Sequence, residues 1–241
     1  ILKIQRNYKY FIFLLLFVST DVVVYLSGER TALGLLLIVS VFILCLVNKM
    51  RYFRFFTLLL SLLIIILISF VNSDIKKRNI DHTLDQIGIS DSSNEIYIFS
   101  KEHDSLIKTS WNIFQDNKVF GIGPNNFRNY CNIEKYKINE FSCSTHPHNT
   151  FFQILVELGI IGLIFYFVIL IYFLKSIFLQ IKSQIIDDKY YFSDFQVIIL
   201  SSATCLLFPI LPSLNFFNNW NCIVYFLPLG LFMYSIYKDK T

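Results

Sequence analysis

The chain has 241 residues, 55% hydrophobic and 17% aromatic, with only 16% charged, and its mean hydropathy is +0.56. That composition excludes an ordinary soluble domain and points to a membrane protein. The net charge of +4 is too small to suggest a nucleic-acid partner, and its placement says more than its total.

Residue 1 is isoleucine and the chain opens close to an apolar run, so it reads as the C-terminal part of a longer polytopic protein. That first run lacks a small-residue cleavage site and continues as a spanning pattern, unlike a signal peptide. Six runs approach the length of about 20 residues that a spanning helix needs: residues 8–26, 31–47, 55–71, 149–174, 195–214 and 222–237. The sixth is marginal, and Trp220 extends it. The expectation is an all-α integral membrane protein with about six transmembrane helices and one large periplasmic segment between the third and fourth. Its parts are residues 1–71 (helices 1–3), 72–148 (a periplasmic loop domain) and 149–241 (helices 4–6).

The basic residues orient these spans. With simple alternation, Lys3, Arg6, Lys9, Lys49, Arg51, Arg54, Lys175, Lys182, Lys189, Lys238 and Lys240 all fall on one side. That side is cytoplasmic by the positive-inside rule. Residues 27–30, 72–148 and 215–221 then face outward, and the short outer connections carry Arg30 as their only basic residue.

Arg30 closes a tight turn after Ser27, Gly28 and Glu29. Its planar fork suits a phosphate, or it pairs with Glu29 or with Asp21, which lies inside the first span and needs a partner of its own. In the long outer segment, residues 90–94 read as a flexible turn. Residues 103–117 read as an amphipathic helix with Leu106, Ile107, Ser110, Trp111 and Phe114 on one face. It would lie on the membrane or lid a cavity, with Trp111 either in a core or stacked on a sugar ring. Gly121-Ile122-Gly123-Pro124-Asn125-Asn126-Phe127-Arg128 is a turn, not a dinucleotide fingerprint, since no strand or third glycine accompanies it. Its glycines admit close backbone approach, and Arg128 is a second arginine able to contact phosphate.

Cys131 and Cys143 share the outer segment, where an oxidising periplasm permits a disulfide. It would close a short loop, worth about 3 kcal/mol on chain-entropy grounds, and pin the approach to His146. Cys45 and Cys205 read as buried small apolar residues within spans, and Cys222 lies at a span edge. No Cys/His spacing resembles a zinc site, and no paired acidic motif on the outer face suggests a divalent metal. Asp187 and Asp188 read as a solvated loop.

The most informative stretch is Cys143-Ser144-Thr145-His146-Pro147-His148-Asn149, which runs into Glu157, Gly159 and Gly162 inside the fourth span. Titratable groups at a membrane boundary are costly and usually functional. Proline favours the first helical turn, so the span should begin near Pro147, with His148 in that turn facing free N–H groups that attract anions. A histidine there can act as a general base, or both imidazoles serve as interfacial caps. Glu157 would pair with a basic group or orient a catalytic residue, and the two glycines would let helices pack closely.

These pieces, in this order, resemble the O-antigen ligase and O-antigen polymerase superfamily of bacterial polytopic membrane proteins. The matching parts are Ser27-Gly28-Glu29-Arg30, the amphipathic helix leading into residues 121–128, and residues 143–149 running into Glu157, Gly159 and Gly162. The resemblance implies a glycosyltransferase of lipopolysaccharide and polysaccharide biosynthesis in the bacterial inner membrane, with its site facing the periplasm. It implies an undecaprenyl-diphosphate-linked glycan as substrate, no metal and no cofactor. Arg30 would hold the diphosphate, and His148, or else His146, would assist the acceptor hydroxyl. Asn149, Glu157, Gly121 and Gly123 would support them. Partners would be membrane lipid, the lipid-linked donor, the glycan acceptor and a chain-length regulator protein. Many ligases carry an arginine near the start of the loop helix, where this chain has His103 and Lys108; Arg128 would substitute. The form of residues 143–149, with Arg128 and Cys131 upstream, looks more like the repeat-unit polymerases. The alternatives are a ligase transferring glycan to lipid A-core, a protein O-oligosaccharyltransferase, and a non-catalytic lipid-glycan transporter. A transporter calls for paired broken helices in repeated halves, and the sequence shows none.

Overall fold

A computed structural model describes residues 2–47, 51–89, 96–186 and 191–238, the first six by backbone alone. The turn expected over residues 90–94, the Asp187–Asp188 loop, Lys49, Lys189 and Lys240, and the side chains of Lys3 and Arg6, lie outside the described residues. Among the described residues every regular element is helical, and the chain divides into two compact units, Ile1–Asp85 and Gln86–Thr241.

The first unit contains α1 (Leu2–Ser27), α2 (Arg30–Leu46) and α3 (Arg51–Val71). Gly28 separates α1 from α2 with φ 73°, and its N–H returns to the Tyr25 carbonyl at 3.1 Å. This left-handed position is where a helix most readily ends. Beyond α3, Asn72 caps α4 (Ser73–Lys76) by accepting the N–H groups of Asp74 and Ile75 at 3.1 and 3.2 Å. A π-helical turn over Lys77–Asp81 leads into α5 (His82–Ile87).

Charge is buried in the middle of this unit. Arg54 is 1% exposed and Asp21 4%. Two guanidinium nitrogens of Arg54 donate to the two Asp21 oxygens at 2.9 and 3.0 Å. Ser40 and Ser61 complete the cluster, bonding Arg54 at 2.5 Å and Asp21 at 2.8 Å. The guanidinium also lies 4.6 Å above the Phe17 ring. Arg54 is therefore not a charge of the connecting loop, as its position between two apolar runs suggested; it reaches inward to satisfy Asp21. Cys45, expected to be buried, is exposed on α2.

The second unit contains α6 (Lys101–Asp116), α7 (Phe127–Tyr130), α8 (Thr150–Ile186), α9 (Asp194–Leu206) and α10 (Asn219–Lys238). Ser193 and Gln196 form a capping box that starts α9. Four helices are long and apolar enough to cross a membrane: Tyr8–Ser27, Arg51–Val71, Thr150–Ile186 and Asn219–Lys238. The chain is thus an all-α, multi-pass membrane protein, but two expected spans come out short. α2 has 17 residues and α9 has 13. The fifth span was expected to run to residue 214, yet its helix stops at Leu206 because Pro209 and Pro212 supply no N–H and disfavour helical geometry before them. The fourth span differs in the other direction. α8 carries Lys175 and Lys182 inside it and continues to Ile186.

Candidate active site

α8 is broken near its start. Gly159 has φ 66° and ψ −159°, which separates a short helix over residues 150–158 from the long span beyond it. The loop after α6 fills the break. Ile160 and Ile161 donate their N–H groups to the carbonyls of Lys118 and Val119 at 2.8 and 3.4 Å. Ile122 and Gly123 donate theirs to the carbonyls of Val156 and Glu157 at 3.0 and 2.9 Å. Non-helical backbone at membrane depth is tolerated only where such partners exist. The approach demands glycine on both sides: a Cβ on Gly121 would collide with the Glu157 carbonyl, and one on Gly159 with that of Val119. Gly159 was expected to serve helix packing; it serves a helix break, which no local pattern marks.

Glu157, fully buried, faces the same loop. Its carboxylate accepts the N–H of Asn125 at 3.0 Å, that of Phe127 at 3.1 Å and the Gln153 amide at 3.2 Å. It therefore fixes the Gly121–Arg128 turn and the start of α7, not a basic group across the bundle. Gln153 extends the network, donating to Asn215 at 2.7 Å and accepting the Phe216 N–H at 2.8 Å.

α8 begins at Thr150, not at Pro147. Asn149 takes the capping position, accepting the Phe152 N–H at 3.0 Å through its side chain. Its amide nitrogen donates to the carbonyls of Pro209 and Leu211 at 2.8 and 3.3 Å, which satisfies the non-helical stretch after α9. His148 thus precedes the helix, outside its first turn, and holds φ 55°, a left-handed conformation rare for a side chain of its size. Ser213 pins it from outside by donating its N–H to the His148 carbonyl at 2.9 Å. Cys131 and Cys143 are bonded, with Cα atoms 5.0 Å apart, just ahead of this segment.

The two histidines stand with ring centroids 4.0 Å apart but have different surroundings. His146 is 7% exposed. Its Nε2 faces the Ser213 carbonyl at 3.4 Å and its Nδ1 the Thr145 hydroxyl at 3.0 Å. A carbonyl only accepts, so Nε2 carries the proton and Nδ1 accepts from Thr145. Both nitrogens are committed, and burial, reinforced by His148, pushes the imidazole down to about 4. His148 is half-buried, and burial also holds it below the usual histidine range. Its Nε2 meets the Ser144 hydroxyl at 3.1 Å, and among the described residues its Nδ1 has no hydrogen-bond partner. Among the described residues no group of three or more His, Cys, Asp or Glu could hold a metal ion.

The other expected residues fall as follows. Arg128 lies exposed on α7, its Nε donating to the Asn125 carbonyl at 3.3 Å. Trp111 is 49% exposed, beside Phe114 at 5.5 Å, and stands off the buried face of α6. That face is formed by Ser105, Leu106, Thr109, Ser110, Ile113 and Phe114. In the first unit, Arg30 opens α2 and donates to Thr83 at 3.2 Å, pairing with neither Glu29 nor Asp21.

A family model described as O-Antigen ligase matches residues 11–167. The chain belongs to the O-antigen ligase family. No curated protein and no solved structure matches it. As a member of the O-antigen ligase family it is a membrane enzyme of the glycan ligase or polymerase type. The matched segment takes in Arg30, the glycine turn, the two histidines and the break at Gly159. It stops before Ser213 and Asn215, which hold His146 and Gln153 from beyond it. Sequence reasoning passed over Ser144, Gln153, Ser213 and Asn215. A buried glutamine four residues before a glutamate in an apolar run was the signal that could have found the network.

Proposed function

We propose that this protein is a polysaccharide polymerase of the periplasmic face, joining glycan repeat units carried on undecaprenyl diphosphate, with His148 as the general base. The observation that carries the assignment of the base is the contrast between the two imidazoles: His146 has both nitrogens committed, whereas His148, on a half-buried ring, has no hydrogen-bond partner for Nδ1 among the described residues. A neutral imidazole with a free lone pair is the form that accepts a proton, and such a base contributes about 10²–10⁴-fold to the rate.

In this reading the acceptor hydroxyl attacks the anomeric carbon as the lipid diphosphate leaves. The diphosphate is a good leaving group once its charge is neutralised, so no metal is required. Arg128, whose terminal nitrogens make no hydrogen bond among the described residues, is the proposed diphosphate contact of the second unit; Arg30, in the first unit, is a separate candidate for that role. Trp111 offers an exposed ring on which a sugar can stack. A chain-length regulator is the proposed protein partner. The second reading, favoured by the description of the matching family, is a ligase that moves the finished glycan to lipid A-core.

The test is complementation of a deletion strain with the full-length gene carrying His148→Ala, resolving lipopolysaccharide and lipid-linked glycans on a gel. Collapse of the ladder to a single repeat, with the protein retained in the membrane, supports the polymerase. Lipid-linked chains that grow but never reach lipid A support the ligase. An unchanged ladder removes His148 from the chemistry.

A further inference from the structure

The loop that fills the break in α8 turns an apolar tip outward. Asn117, just past α6, accepts the N–H of Gly121 at 3.0 Å, so Lys118, Val119 and Phe120 form the tip of a tight turn. Val119 is 55% exposed and Phe120 75%. The backbone of this tip is tied to a membrane span, since the carbonyls of Lys118 and Val119 take the N–H groups of Ile160 and Ile161. Those two isoleucines open the long part of α8, whose surface stays apolar and exposed through Ile164, Phe165, Val168 and Ile171. Its first charged side chain is Lys175, fifteen residues beyond Ile160, a rise of about 22 Å. A hydrocarbon layer is about 30 Å thick. With Lys175 at one boundary, Ile160 lies below the other, and so does the tip bonded to it. The tip cannot ride upward along the helix, because Gly121 and Gly159 meet the opposite backbone too closely for either to carry a Cβ. Lys118 suits the boundary itself. Its neighbour Asp116 is taken by Lys135 at 2.5 Å, and the Lys118 ammonium makes no hydrogen bond or ion pair among the described residues. A lysine stem lies along apolar surface while its head reaches polar groups.

We propose that Lys118, Val119 and Phe120 form a wedge inserted into the leaflet that the candidate site faces. Val119 and Phe120 lie among phospholipid acyl chains, and Lys118 reaches the headgroup phosphates. The occupant follows from continuity: the tip adjoins the exposed apolar belt of α8 and is bonded to its backbone, so the lipid that covers the belt covers the tip. A cation beside exposed apolar side chains is also the composition of interfacial anchors. Gly121 joins the wedge directly to the turn that Glu157 fixes, so the wedge sets the height of that turn against the bilayer. It binds lipid whatever glycan the enzyme handles, and it stands apart from the role of His148.

The test places the photo-crosslinker p-benzoyl-phenylalanine at Phe120 of the full-length protein in native membranes and identifies the adducts by mass spectrometry. The exchange is aromatic for aromatic at an exposed position, so the fold is kept. Phospholipid joined through an acyl chain should be the main adduct. Val119→Asp should cut its yield about tenfold, since a carboxylate resists entry into hydrocarbon, and Val119→Leu should keep it. The crosslink in the otherwise native chain decides the matter even if Val119→Asp accumulates poorly. Adducts to another protein segment or to a second copy, adducts mainly to a polyprenyl lipid, no lipid adduct, or a yield that Val119→Asp leaves unchanged would each overturn the proposal. Phospholipid adducts beside a fully active His148→Ala would sink the proposed base and leave the wedge standing.

Discussion

His146 and His148 differ in chemistry because of what each nitrogen meets, and a sequence cannot show that. His146 is neutral in the fold at pH values where an unfolded histidine is already charged. Its ordinary value is 6.5 and its folded value about 4. The unfolded chain therefore binds more protons between these values, so stability is present above pH 6.5 and falls as pH drops towards 4. The loss is on the order of 3 kcal/mol. Thermal unfolding of the detergent-solubilised protein should show a midpoint that falls over this window, and His146→Gln should flatten the fall; parallel curves would deny His146 that role. Both histidines were legible as special from their place at the mouth of an apolar run. Their division of labour depends on Ser144 and on Ser213, which lies 67 residues beyond His146, and no local pattern encodes it.

Among the elements, the broken α8 organises the site. Its break joins three motifs that look separate in the sequence: Gly121 and Gly123, Glu157, and Gly159. Replacing Gly159 by alanine forces a side chain into a conformation that costs about 1–3 kcal/mol, before the collision with Val119. Gly159→Ala should lower the unfolding midpoint and reduce the amount of protein in the membrane, while Gly34→Ala, where nothing lies within 4 Å, should do neither. Equal behaviour of the two variants would mean that the break relaxes freely. The existence of most helices was legible from hydropathy alone. The break was not, because Gly159 sits in an unbroken apolar run and only the neighbouring loop makes its absent helical bonds unnecessary. The early end of α9 was legible in principle, since Pro209 and Pro212 mark it.

Across the whole molecule, the two units rest on different kinds of polar interior. The second uses neutral amides and one carboxylate that takes backbone N–H groups. The first uses a full ion pair. Removing one member strands the other in an apolar interior, which costs about 3–5 kcal/mol, whereas removing both costs far less. Asp21→Leu and Arg54→Leu should each lower the unfolding midpoint sharply, and the double variant should regain much of the loss. Additive losses would show that the two residues act separately. The pairing escaped a charge count because the positive-inside rule assigns any basic residue near a loop to the aqueous side, yet an arginine stem is long enough to carry its head inward.

The brevity of α9 also has a consequence for the lipid around it. Thirteen residues reach about 20 Å, some 10 Å less than an ordinary hydrocarbon layer. Past its end the backbone is non-helical, yet Phe208, Ile210 and Leu214 remain exposed. Acyl chains on that flank must shorten or splay to meet the protein, at a cost of fractions of a kcal/mol per Å. The bilayer should therefore dimple there, lowering the headgroup plane beside α9. Reconstitution into nanodiscs of graded acyl length reads this directly: turnover should rise as chains shorten from those of an average bilayer, and a preference for thicker bilayers would mean that the dimple does not form.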